Sequence, residues 1–178
     1  MKRAMSIAAF LSAVFAVAPA IADAQAKVLP ATDISAAQIQ ALLGPRKPGA
    51  LPNIRVVDAG GHNVGVGVLY RAQGQTQVAA VHFKVSEVYH VIQGSGTLVT
   101  GGTVVNPKTR ASDSAEVRQE DGPGVSGTAI EGGVSRQIKP GDVVVIPAGT
   151  PHWFSKIDGS LAYLVIRIDP SQLIALQN

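Results

Sequence analysis

The 178-residue sequence contains no cysteine, and that absence removes several chemistries at once. A disulfide framework, a thiolate zinc site, an iron–sulfur cluster and a cysteine nucleophile are all excluded. Any metal must be held by imidazole nitrogen and carboxylate oxygen. Aromatic residues are scarce at 4%, charged residues amount to 15%, and Lys and Arg are scattered along the chain. No nucleic-acid surface is expected from such a pattern. A Gly-x-Ser-x-Gly elbow is also missing, which counts against a hydrolase of that kind. Gly94-Ser95-Gly96 reads as a hairpin turn with no helix after it, so it is not a phosphate cradle.

What is present begins with an export signal. Met1-Lys2-Arg3 is a basic start, Ala4 to Val17 carries no charge, and Ala22-Asp23-Ala24 is an A-x-A cleavage site, so residues 1–24 are expected to be a signal peptide. A membrane-spanning anchor needs about 20 consecutive apolar residues, and Pro19 and Asp23 interrupt this stretch first. Removing the segment takes two of the 15 basic and one of the 12 acidic residues, leaving 13 against 11. The product is expected to be periplasmic or secreted, with no membrane attachment.

The remaining length suits one domain. Residues 25–52 read as an N-terminal arm with a short helix, because a capping residue in Thr32 to Ser35 precedes Ile39, Leu42 and Leu43, and Gly44-Pro45 ends the pattern. From residue 53 to 170 the texture changes to short runs rich in Val, Ile, Thr and Tyr: 54–57, 64–71, 78–84, 87–92, 97–100, 143–146, 152–154 and 161–168. With turns of Gly, Asn or Pro between many of them and almost no helix, they predict an all-β antiparallel barrel or sandwich. Residues 101–134 lack this alternation and read as a long inserted loop. Residues 171–178 read as a C-terminal tail.

Two strand-like stretches carry ligand-type residues in apolar surroundings. His82 follows Val78-Ala79-Ala80-Val81, and Glu87 precedes Val88 and Val91-Ile92. Burying either is costly unless it is paired or bound to a cation. Further on, Gly141-Asp142 turns into an apolar run and Pro147-Ala148-Gly149 bends out of it toward His152. Imidazole and carboxylate together suit iron, manganese, zinc, nickel or copper. The alternative is a set of interior polar residues paired with one another or, for Glu87, with Lys84 or an arginine. Tyr89 shares the parity of Glu87 and is the candidate catalytic residue, as proton donor or substrate contact; core packing is its alternative. His90 has the opposite parity, His62 sits in a turn, and Trp153 is read as a plug or rim residue.

These two stretches resemble the paired motifs of the cupin superfamily, small jelly-roll β-barrels. The first motif, G(x)5HxH(x)3,4E(x)6G, is matched by Gly74, His82, Glu87 and Gly94, with Ala80 where the first His is expected. The second, G(x)5PxG(x)2H(x)3N, is matched by Gly141, Pro147, Gly149 and His152, with Lys156 in place of Asn. The resemblance implies an antiparallel jelly-roll barrel and a divalent transition metal on His82, Glu87 and His152, or no metal where the depleted motif has abandoned it. It implies a small organic substrate and dioxygenase, isomerase or lyase chemistry, with a non-catalytic ligand-binding barrel as the alternative. Edge-strand pairing into a homodimer is the third expectation.

Overall fold

In the computed structural model, which describes residues 28–47, 50 and 52–177, side-chain alternation along two long strands organises the molecule. Eleven strands occur in the described residues: β1 (Asn53–Asp58), β2 (Asn63–Ala72), β3 (Ala79–His82), β4 (Ser86–Thr100), β5 (Thr103–Val105), β6 (Lys108–Thr109), β7 (Gly124–Gly127), β8 (Ala129–Glu131), β9 (Val134–Ile138), β10 (Val143–Ile146) and β11 (His152–Asp169). On β11, Leu161, Tyr163, Val165, Arg167 and Asp169 are buried, while the residues between them are mostly less so. A period of two is what a strand with one covered face produces. All pairings are antiparallel: β2 and β4 flank β11, β1 extends beyond β2, and β10 and β9 line the far edge of β4. The inward faces meet in a core that includes Tyr89, Leu98, Phe154, Leu161, Tyr163 and Val165.

The all-β antiparallel class and the short N-terminal helix expected from the sequence are both found. The helix α1 spans Ala36–Gln40, and Ser35 with Gln38 forms a reciprocal capping box. The leader expected over residues 1–24 lies outside the described residues. Among the described residues no helix is long and apolar enough to cross a membrane.

Three local expectations are corrected. Gly94-Ser95-Gly96 is not a hairpin turn; it lies within the continuous β4, where register shifts opposite it absorb the irregularity. Runs 152–154 and 161–168 are one 18-residue strand. Most of all, residues 101–134 are not a plain loop. They carry β5, β6, a π-helical turn (Val117–Asp121), β7 and β8. Strand β7 joins the main sheet by pairing with β3, and β5 with β8 forms a second, two-stranded sheet. The tail is also tied down: Gln177 pairs with Val56, and Ile174 is buried with its amide donating to Asp169 Oδ2 at 2.7 Å.

Candidate functional site

The site forms where the two motifs are fastened to each other. His82 ends β3 and Glu87 is the second residue of β4, so a three-residue link sets both near one end of the sheet. The bend after β10 is pinned to them: the Gly149 amide donates to the His82 carbonyl at 2.7 Å and the Ala148 amide to Ser86 Oγ at 3.0 Å. Gly149 has φ +82°, a left-handed conformation that favours glycine, and it turns the chain so that His152 opens β11 opposite Ala80.

The three expected ligand residues converge. Glu87 Oε2 lies 3.5 Å from His82 Nε2 and 3.4 Å from His152 Nε2, and the ligand-type atoms of all three residues fall within 4.8 Å of one another. All three residues are buried. They line a cavity of about 410 Å³ together with Ala80, Tyr89 and Trp153. Tyr89 both packs in the core and satisfies its hydroxyl, which donates to Glu87 Oε2 at 2.7 Å. Around this group stand Arg167, which donates from Nε to Glu87 Oε1 at 3.1 Å, and Arg110, whose Nη1 lies 3.0 Å from His82 Nδ1.

Burial alone would raise the Glu87 carboxyl, but His82, Arg167 and His152 hold it well below the usual carboxylate range. Burial pushes the His152 imidazole down to about 4 and outweighs the pull of Glu87, so His152 is neutral near pH 7. Its Nδ1 faces the Thr150 carbonyl at 3.1 Å. The proton therefore sits on Nδ1 and the Nε2 lone pair points to the group. Burial, followed by the charges of Glu87 and Tyr163, keeps the Tyr89 hydroxyl protonated far into the alkaline range. For His82, burial is outweighed by Glu87 and Asp121, which raise its pKa.

These residues fit a small divalent cation in spacing and donor type. Two metal bonds of roughly 2.1 Å at ordinary coordination angles set ligand atoms about 3.0–3.4 Å apart, close to the 3.5 and 3.4 Å that separate Glu87 Oε2 from the two imidazoles. Glu87 is ionised and His152 has the tautomer a ligand needs. His82 needs one adjustment: an arginine only donates, so the Arg110 contact makes Nδ1 an acceptor and places the proton on Nε2. Arg110 has other partners at hand in Ser126 Oγ, Glu116 and Asp121, at 2.9, 3.1 and 3.5 Å, so its hold on His82 can be given up.

His90 is exposed on the opposite face of β4, and His62 is half-buried in the β1–β2 turn; neither joins the group. The basic partner of Glu87 is Arg167, not Lys84. Arg167 went unrecognised in the sequence, although its parity with Leu161, Tyr163 and Val165 points it inward. Arg71 follows Leu69 at the same parity and also lines the cavity. Arg110, Glu116, Glu120 and Asp121 were hidden in the segment read as a loop.

The solved structures that match are distant in sequence. A DMSP lyase from Ruegeria pomeroyi DSS-3 is 18% identical over 64% of this chain, with a TM-score of 0.40. This chain covers 42% of that one, less than half its length. A Bacillus halodurans protein is 16% identical, with 73% of this chain and 80% of that one covered and a TM-score of 0.42. An RmlC-like cupin family protein with a double-stranded β-helix fold from Methanocaldococcus jannaschii is 14% identical, covering 70% and 87%, with a TM-score of 0.40. No curated protein sequence matches. The sequence profile of the cupin family matches residues 61–176, a span that holds both motifs and all but the first of the strands, and the chain belongs to that family.

Proposed function

We propose that this cupin is exported, binds a divalent transition metal on His82, Glu87 and His152, and acts on a small organic molecule in the cavity beside them. The observation that carries the reading is the convergence of three buried ligand-type side chains within 4.8 Å at the wall of a 410 Å³ cavity. A bound metal would supply Lewis acidity or a site for dioxygen. The chain's own residues do the rest. Glu87 stays ionised, with Oε1 on Arg167. His152 offers Nε2 while Thr150 fixes its ring. Tyr89 keeps a proton at its hydroxyl, directed at Glu87 Oε2, and reaches a substrate only by giving up that bond. Trp153 donates to the Gln77 carbonyl at 3.1 Å and helps wall the cavity from solvent.

Metal analysis of untagged protein, purified natively without chelators, tests this. About one metal per chain is expected, falling to background in His82→Ala and His152→Ala. Substoichiometric metal that reconstitution does not restore overturns it. Mass spectrometry of the same preparation is expected to show the chain beginning at Gln25, consistent with export to the periplasm or medium.

Two observations favour the second reading, a ligand-binding barrel without metal. Ala80 occupies the cavity wall where the first motif has a His, and Arg110 already occupies His82 Nδ1. Thermal stabilisation by small ligands that persists in the triple His82→Ala, Glu87→Ala, His152→Ala variant would select it.

A further inference from the structure

We propose that Arg71 is the recognition point for a carboxylate group on the small molecule that enters this cavity, which makes the ligand a monoanion with an apolar or aromatic body. The inference rests on the reading of the cavity as a ligand site, with or without metal. It starts from an imbalance of charge. Arg110 is paired with Glu116 and Asp121, and Arg167 with Glu87, Glu120 and Asp121. Arg71 lines the same cavity, yet among the described residues no carboxylate lies within ion-pair distance of it.

Its neighbours hold the guanidinium without neutralising it. Nε donates to the Tyr163 hydroxyl at 3.0 Å and Nη1 to Gln77 Oε1 at 2.8 Å, both neutral acceptors. Gln77 is itself fixed, donating from Nε2 to the Gln75 carbonyl at 3.0 Å. The Cζ atom stands 5.1 Å from the Phe154 ring centroid and 5.8 Å from that of Tyr163. Nη2 has no hydrogen-bond partner among the described residues and is not among the sealed buried atoms, so one edge of the fork stays available. A planar cation locked by two hydrogen bonds and an aromatic face, with one edge free, is preorganised for a carboxylate.

The surroundings define the rest of the ligand. Leu69, Val78, Trp153 and Phe154 give the Arg71 end an apolar lining. Glu116 and Asp121 line the cavity as well, and their charges oppose a second negative group. A dianionic phosphate is disfavoured for that reason and because no second unpaired cation faces it among the described residues.

The test uses benzoate and its neutral isostere benzamide as probes, measured by calorimetry on the mature protein in metal-loaded and chelator-stripped forms. Benzoate is expected to bind both forms, and benzamide to bind roughly tenfold or more weakly, the loss of one charge-assisted hydrogen bond. Arg71→Met is expected to weaken benzoate by a similar factor with metal content unchanged, and Arg71→Lys to recover part of it. The benzoate–benzamide comparison needs no variant, so it stands even where a substitution perturbs folding. No benzoate binding at millimolar concentration, equal binding of the two probes, or undiminished binding to Arg71→Met overturns the proposal. Benzoate bound only by the metal-loaded form, and equally by Arg71→Met, places the carboxylate on the metal and overturns it too. Absence of metal from the native protein instead sinks the metal reading and leaves the Arg71 test intact.

Discussion

Arg167 shows most directly how single residues sustain the site. It is 2% exposed and its three nitrogens reach Glu87, Asn53 and the Glu120–Asp121 pair. Asp121 Oδ1 lies 2.9 Å from Nη2 but lacks hydrogen-bond alignment and has no other partner, so this arginine is the main compensation for that buried charge. Replacing it by Met would leave Glu87 and Asp121 undercompensated in a poorly hydrated interior. Breaking a buried pair in this way costs about 3–5 kcal/mol. Urea unfolding of metal-free Arg167→Met against the unsubstituted protein should show a loss of that size, and a loss below about 1 kcal/mol would sink the account. The residue was legible in the sequence only through parity: in Leu161 to Ile168 the inward positions read Leu, Tyr, Val and then Arg. The signal is a charge at an inward position of an otherwise apolar run.

At the scale of elements, the separate runs within β4 and β11 and the motif ends are readable because they depend on local patterns: alternation in 87–92 and 161–168, a capping residue ahead of Ile39, a bend at Pro147 to Gly149. The continuity of β4 through Gly94–Gly96 and of β11 through residues 155–160 depends on pairing between the two strands and is not readable in this way. The segment 101–134 was not readable because its strands are two to four residues long and exist by pairing at a distance. Gly124 lies so close to β3 that a Cβ there would meet the Val81 carbonyl oxygen at 2.0 Å. That requirement for glycine is invisible without the partner strand. Strand β3 itself carries a consequence of period two. Residues 80 and 82 fall on one face, both line the cavity, and Ala80 is paired with His152 across the ladder. Ala80→His would therefore present a third imidazole, and a fourth ligand, to the group. Competition against a chelator should show tighter metal binding by about tenfold or more, equivalent to at least ~1.4 kcal/mol. Unchanged affinity would mean that the face of β3 does not point residue 80 at the metal position.

For the molecule as a whole, the buried titrating groups predict an unusual pH profile of stability in the metal-free protein. His152, held down to about 4 from 6.5, stays neutral in the fold while the unfolded chain takes up a proton below pH 6.5, so its contribution falls as pH falls from 6.5 to 4. Glu120 works in the opposite sense. Burial first, and then Asp121 and Glu116, raise it from 4.5 to about 7 against the pull of Arg167 and Arg46. The fold thus holds a proton that the unfolded chain releases, and its contribution is full below pH 4.5 and lost as pH rises through 7. Between pH 4.5 and 6.5 the two slopes oppose, each at most ~1.4 kcal/mol per pH unit, and stability should be nearly flat. Below pH 4.5 the Glu120 contribution is constant, while Glu87, ionised well below its ordinary range, gives a steep loss. Glu120→Gln removes one of the opposing slopes. Denaturant unfolding from pH 4.5 to 6.5 should then show stability rising with pH by up to ~1.4 kcal/mol per unit, where the unsubstituted protein shows a plateau. A variant as flat as its parent would mean that Glu120 carries no proton in the folded state, and that the acidic turn beside Arg167 is charged throughout this range.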